Sequence, residues 1–211
     1  MAVEKEGEMG LFHELGPDRV LTLVEKELGI RCNNLFRPLN SYINRVYEVE
    51  SLDKIRYIVK FYRPGRWTRE AILEEHEFLL DLTSQEVPVI APLVLSDGST
   101  LGSHDDVCFS VFPKCGGRSV DEFNDEEWLQ RGRLIGRAHK VGESRKAQHR
   151  IVMMPGESTR SQLDFILGSR CIPEHLKRPL KEAGEAIVGD ITPLFAGTER
   201  IRIHGDCHFS N

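Results

Sequence analysis

Apolar residues recur three and four positions apart in some stretches and alternate in others, and the change of period divides the chain into elements. Over residues 17–28, Val20, Val24 and Leu28 share one face, with Pro17 at an early helical position and Gly29 as the stop, which predicts an amphipathic helix. Between Arg37 and Phe61 the pattern becomes short β-type runs at 46–49 and 57–61, separated by a polar turn at 51–54. Thr68 is placed to cap a helix whose apolar stripe holds Ile72, Leu79 and Leu82 and which ends before Val87-Pro88. A second β-type set is predicted over 89–95 and 107–112, joined through a turn region at 97–103. After Pro113, Gly116 and Gly117 break the pattern, and helical periods follow over 125–141, 161–168 and 173–190. Residues 200–203 read as a short strand before the closing octet His204-Gly205-Asp206-Cys207-His208-Phe209-Ser210-Asn211.

Composition narrows the picture. Of 211 residues, 40% are apolar and 29% charged, the balance of an ordinary globular chain. A formal net charge of -5 gives no overall pull toward nucleic acid or anionic lipid, so neither is expected as a partner. No stretch is long enough to span a bilayer, and residues 1–10 lack the apolar core of a secretory signal; a cytoplasmic location is expected. Cys32, Cys108, Cys115, Cys171 and Cys207 are odd in number and form no C-x-x-C pair, which reads as reduced thiols.

Lys60 interrupts an apolar strand, where an ammonium needs an anionic partner. On the following helix Glu70, Glu74, Glu77 and Asp81 share a polar stripe, whereas Glu75 falls on the apolar side between Leu79 and Leu82. If that helix crosses the sheet, Lys60 and Glu75 neutralise each other. Such a pair is weak evidence for stability and points to a function. The alternative places Lys60 at the sheet edge and Glu75 at the helix rim.

Residues 39–47 form a polar connection between two strands. Ser41 and Asn44 offer donors to phosphate oxygens and Arg45 adds charge, but no glycine is present, and the same residues suit a plain hairpin turn. In the closing octet, Asp206 can orient a hydroxyl and accept its proton, and Asn211 can give an amide oxygen to magnesium. His204 and His208 would brace the loop. A competing reading makes His204, Cys207 and His208 zinc ligands, but no C-x-x-C or H-E-x-x-H supplies the rest of such a site. The stretch from Arg131 to Arg150 is basic, with Glu143 its one acidic residue; it reads as a solvated face or as a cleft rim for an acidic acceptor.

The run from His204 to Asn211 fits H-G-D-x-H-x-x-N and resembles the catalytic loop of the aminoglycoside phosphotransferase and choline kinase superfamily. Within it, Pro38-Leu39-Asn40-Ser41-Tyr42, Val59-Lys60-Phe61-Tyr62-Arg63-Pro64, Ile72-Leu73-Glu74-Glu75-His76 and Val111-Phe112-Pro113 with Gly116-Gly117-Arg118 are similar to the bacterial stress-response serine/threonine kinases of the RdoA type. The likeness runs from about Pro17 to Asn211. It implies an α+β, bilobal protein-kinase-like fold, with an antiparallel-sheet N-lobe and a mainly helical C-lobe truncated after the catalytic loop. The expected organisation is an N-terminal segment with its helix (1–31), a nucleotide-binding lobe (32–113) and an incomplete helical lobe (114–211).

Carried over by residue, Lys60 would contact the phosphates of ATP and Glu75 would hold Lys60. Ser41, Tyr42 and Asn44 would lie in the phosphate-covering loop, and Phe112, Pro113 and Lys114 would form the hinge that meets adenine. Asp206 would be the catalytic base and Asn211 a ligand of Mg2+. The implied function is transfer of the γ-phosphoryl group of ATP to a protein serine or threonine. Alternatives are a small alcohol acceptor of the homoserine, choline or aminoglycoside kind, or a nucleotide-binding module without turnover. The family places a second magnesium-binding aspartate beyond the asparagine, so the 211 residues are expected to be a piece of a longer kinase, inactive alone.

Overall fold

The computed structural model describes residues 12, 15–117 and 122–207. They fall into two units, one of the described residues up to His149 together with residues 201–207, and one of residues 150–200. In the first, helix α1 (Pro17–Leu28) is followed by strands β1 (Cys32–Leu39), β2 (Arg45–Ser51) and β3 (Arg56–Phe61), helix α2 (Arg69–Ser84), strands β4 (Gly102–His104) and β5 (Val107–Pro113), and helix α3 (Asp125–Glu143). The strands form one sheet in the order β1-β2-β3-β5-β4, every pairing antiparallel.

Alternation gives the sheet two different faces. Tyr47, Val49, Val59, Phe61, Phe109 and Val111 point to one side, where Val20, Leu23 and Val24 of α1 close a core. The rings of Phe61 and Phe109 lie 5.7 Å apart, and Tyr47 meets Phe61 edge-on at 6.0 Å. Emptying the fully buried Phe61 site by Phe61→Ala costs about 3–5 kcal/mol by the usual large-to-small rule. α1 starts with Pro17 in its first turn and stops at Gly29, whose φ of 65° is the left-handed conformation that glycine adopts without a Cβ penalty.

The opposite face carries Lys60, aligned with Val46 on β2 and Ser110 on β5. α2 packs here, placing His76 Nε2 3.4 Å from Ser110 Oγ, while Ile72 joins Tyr62 and Leu101 in a small second core. Thr68 caps the helix as expected, its Oγ1 accepting the Ala71 amide at 3.2 Å. The other end is fastened by α3 and the residues just after it: Arg137 on the helix donates to the carbonyls of Gln85 (3.3 Å) and Glu86 (2.8 Å), and Arg145, past its end, reaches Glu77 and Asp81 at 3.3 and 3.4 Å. α3 itself begins in a reciprocal cap, Asn124 accepting from the Glu127 amide and Glu127 from the Asn124 amide.

Two expected strands do not form. Residues 89–95 form no strand, although the Leu93 amide donates to Val111 O at 2.7 Å; Pro92 removes a ladder donor from their middle. Residues 200–203 form no strand either; Arg202 lies against the end of α3, its amide donating to Gly142 O at 3.3 Å. Conversely, the sheet has two strands that alternation understates. β1 begins at Cys32, with an irregular register before Phe36 that Asn33 stabilises by accepting the Leu35 amide and donating to Glu50. β4 pairs with β5 through a turn in which Asp105 and Asp106 both have positive φ, 47° and 64°. That combination matches the twist of a two-residue hairpin.

In the second unit, α4 (Arg160–Gly168) and α5 (Glu174–Ile191) pack together, and Leu163 and Val188 are their buried residues. Gly184 permits the approach, since a Cβ there would lie 2.6 Å from Leu163 Cδ2. Arg160 pairs with Glu185 at 3.0 Å across the two helices. Among the described residues no helix is long and apolar enough to cross a membrane.

Candidate active site

The strand lysine and the helix glutamate meet. Lys60 Nζ lies 3.4 Å from Glu75 Oε1 and 4.5 Å from the centroid of the Tyr62 ring, and both partners are about a quarter to a third exposed, at 26% and 30%. The ammonium is therefore held from one side and open on another, which suits a group that must also reach an anion. Burial is partial, so the pair's value lies in orientation more than in stability.

Behind it lies a polar network that helical periodicity does not announce. His76, 1% exposed, sits between Thr100 Oγ1 at Nδ1 (2.8 Å) and Tyr62 Oη at Nε2 (3.0 Å), with Ser110 Oγ also near Nε2. Burial lowers its pKa to about 4, assisted by the positive charge of Lys60 and opposed by Glu75. The ring is thus a neutral spacer joining α2 to the sheet next to Lys60. The available signal was a histidine one residue past Glu75, on the buried side of the helix.

Glu48 was also missed. It is 1% exposed on β2, on the same face as Lys60, and accepts from Arg56 Nη1 at 3.1 Å, with Arg37 and Lys114 each 3.8 Å away. Oppositely charged residues at paired positions were the clue: Arg37 faces Glu48 and Arg56 faces Glu50 across the ladder. The Arg56 guanidinium, with Asn33 and Lys54, holds the Glu50 carboxyl below its ordinary range.

Residues 40–44 connect β1 to β2. Ser41 Oγ accepts the Asn44 amide at 3.2 Å, and Asn44 Oδ1 accepts the Arg63 amide at 3.3 Å, tying the loop to the chain just past Lys60. Tyr42 projects fully into solvent. Phe112 lies on β5 with its ring edge-on to His76 at 6.3 Å. The Lys114 amide extends the sheet by donating to Arg56 O at 3.0 Å, and its ammonium turns to Glu48.

At the other end of the chain Gly205 has φ +77°, a conformation that allows the Asp206 amide to turn back and donate to His204 Nδ1 at 3.2 Å. The bond makes Nδ1 an acceptor and fixes the ring, so His204 braces the loop. Asp206 is exposed. His208 and Asn211 lie outside the described residues. Among the described residues, no three His, Cys, Asp or Glu side chains are grouped to hold a metal ion.

The geometry of a strand lysine, a helix carboxylate and an H-G-D loop coincides with a family assignment. The model of the phosphotransferase enzyme family matches residues 36–211, and the chain belongs to that family. It is 38% identical over 201 residues to stress response kinase A of Escherichia coli strain K12, and 34% identical over 201 residues to the serine/threonine protein kinase RdoA of Salmonella typhimurium strain LT2. Each match takes in 95% of this chain and 61% of the relative, so the chain spans about three fifths of those proteins. Its fold is similar to that of an amicoumacin kinase in complex with AMP-PNP, Ca2+ and Ami (TM-score 0.74, 18% identity, 96% of this chain and 62% of that one). It is also similar to a spectinomycin phosphotransferase in complex with ADP and spectinomycin (TM-score 0.62, 12% identity, 94% and 65%). The antiparallel sheet with its helices is thus an α+β kinase-like fold.

Proposed function

We propose that the protein containing this chain transfers the γ-phosphoryl group of ATP to a serine or threonine hydroxyl of another protein, in the cytoplasm. The observation that carries the reading is the Lys60–Glu75 contact of 3.4 Å, in a chain that also presents Asp206 in an H-G-D loop. Identity of 34% to a relative named serine/threonine protein kinase RdoA supports the choice of acceptor.

In this reading Lys60 binds the α- and β-phosphate oxygens while Glu75 keeps the ammonium pointed at them. The tethered loop around Ser41, Tyr42 and Asn44 covers the phosphates. Adenine stacks near Phe112, and because the Lys114 amide already serves the sheet, its edge is met by the Lys114 carbonyl and the Cys115 amide. The Asp206 carboxylate orients the acceptor hydroxyl and takes its proton as the oxygen attacks in line. Asn211 offers a hard amide oxygen, a donor type that suits Mg2+. Bound magnesium supplies neutralisation of phosphate charge.

The test is direct. The product of the complete reading frame that contains these residues is incubated with Mg2+ and γ-labelled ATP, once with a generic protein acceptor and once with small amino alcohols and sugars. Label on serine or threonine supports the reading. Label on the small alcohols alone moves the acceptor to a small molecule, and absence of transfer to either removes the kinase assignment.

A further inference from the structure

Arg202 lies four residues before Asp206, and its side chain enters the protein instead of the solvent, with 8% of the residue exposed. Nη1 donates to Asp81 Oδ2 at 2.7 Å. Nη2 reaches Val141 O at 3.3 Å and Ser144 Oγ at 3.4 Å, and Cζ lies over the Phe78 ring, 4.7 Å from its centre. Asp81 and Phe78 are on α2, the helix that carries Glu75; Val141 is on the last turn of α3. The backbone of the same residue is fixed too. Its amide donates to Gly142 O, and a Cβ on Gly142 would collide with its carbonyl oxygen, so the close approach requires glycine.

One side chain therefore ties three pieces together: the glutamate-bearing helix, the end of α3, and the strand of chain that leads straight into His204 and Asp206. Asp81 is held on its other oxygen by Arg145 at 3.4 Å, so α2 does not yield easily at this point. A guanidinium suits the position because its rigid planar fork aims donors at separated acceptors while its flat face covers an aromatic ring; an ammonium, a compact point charge, lacks that fixed fork.

We infer that Arg202 is a positioning residue that sets the His204–Asp206 segment against α2, so that the group holding the nucleotide lysine and the group orienting the acceptor keep a fixed relation. The inference rests on the kinase reading above. Arg202 does not touch substrate; its loss displaces Asp206 and leaves the Lys60 contact with nucleotide in place. The effect therefore falls on kcat and not on KM for ATP.

The experiment compares wild type, Arg202→Lys, Arg202→Met, Asp81→Asn and the double variant Arg202→Lys/Asp81→Asn in the complete protein, each checked for its folded fraction by thermal melting. Expected are a kcat lower by roughly tenfold or more in each single variant that folds, a KM for ATP within about threefold of wild type, and a double variant no worse than the poorer single one. Should Arg202→Met fail to fold, Arg202→Lys and the near-isosteric Asp81→Asn still give the answer. Wild-type kcat in the folded variants, activity lost only in proportion to unfolded protein, or additive losses in the double variant would each overturn the role. A wild-type protein that transfers no phosphoryl group removes the kinase reading first, a result distinct from an active wild type equalled by its variants.

Discussion

Lys60 Nζ and Glu75 Oε1 stand 3.4 Å apart across the junction of β3 and α2, a contact between residues fifteen apart in the chain. Neither element would choose its residue on packing grounds: the strand is otherwise apolar there, and Glu75 sits on the helix side that meets the sheet. The partial exposure of both groups leaves the ammonium reachable by a phosphate. Lys60→Ala is expected to raise KM for ATP at least about tenfold, equal to ~1.4 kcal/mol of binding. Glu75→Gln should give a smaller rise in the same direction. Initial rates at varied ATP check both, and an unchanged KM would take Lys60 out of the phosphate contact.

Asp206 is expected to matter only in the transfer step. Asp206→Asn keeps the shape and removes the proton acceptor, so kcat should fall by about 10²–10⁴ while the dissociation constant for a fluorescent ATP analogue stays at its wild-type value. Equal losses in binding and rate would assign Asp206 to nucleotide binding.

His76 should make stability depend on pH. Its pKa is near 4 when folded, against an ordinary value of 6.5, so the unfolded chain binds more protons between those values. The stabilisation is fully present above pH 6.5 and is lost as pH falls from 6.5 toward 4, a change of about 3 kcal/mol if the full shift is expressed. Urea unfolding measured across that window should show the slope in wild type and a much shallower one in His76→Gln.

Two glycines of α3 should respond with opposite signs. Gly142→Ala forces a methyl into the Arg202 carbonyl and should destabilise by about 1–3 kcal/mol. Gly132 has nothing within 4 Å of a Cβ, so Gly132→Ala gains only helix propensity, up to ~1 kcal/mol of stabilisation. Denaturation midpoints of the two variants test this. A neutral Gly142→Ala would mean that the approach of residues 201–204 to α3 is loose.

These assignments differ in how far the chain announces them. The central strands and the five α-helices among the described residues follow from apolar spacing, since each buries an apolar face. β1 and β4 hide because Asn33, Asn34 and Pro38 interrupt the first, and the second depends on a turn made by two aspartates in left-handed conformation. Residues 89–95 look like a strand by composition, but Pro92 interrupts the ladder. The Lys60–Glu75 pair was readable because each residue violates its local pattern. Arg202 violates none: between Ile201 and Ile203 it resembles the outer residue of a strand, and its partner Asp81 is 121 positions away. Glu74 likewise reads as one of a solvated stripe, yet it accepts the amides of Gln148 and His149 at 2.7 and 2.8 Å. Long-range polar contacts of this kind carry no periodic signal.

The most direct test of the account is a structure of the complete protein with magnesium and a non-hydrolysable ATP analogue. The account predicts the Lys60 ammonium within hydrogen-bonding distance of a phosphate oxygen, and the Asp206 carboxylate beside the γ-phosphate on the side open to an acceptor hydroxyl. An analogue bound away from Lys60, or an Asp206 carboxylate remote from the γ-phosphate, would contradict it.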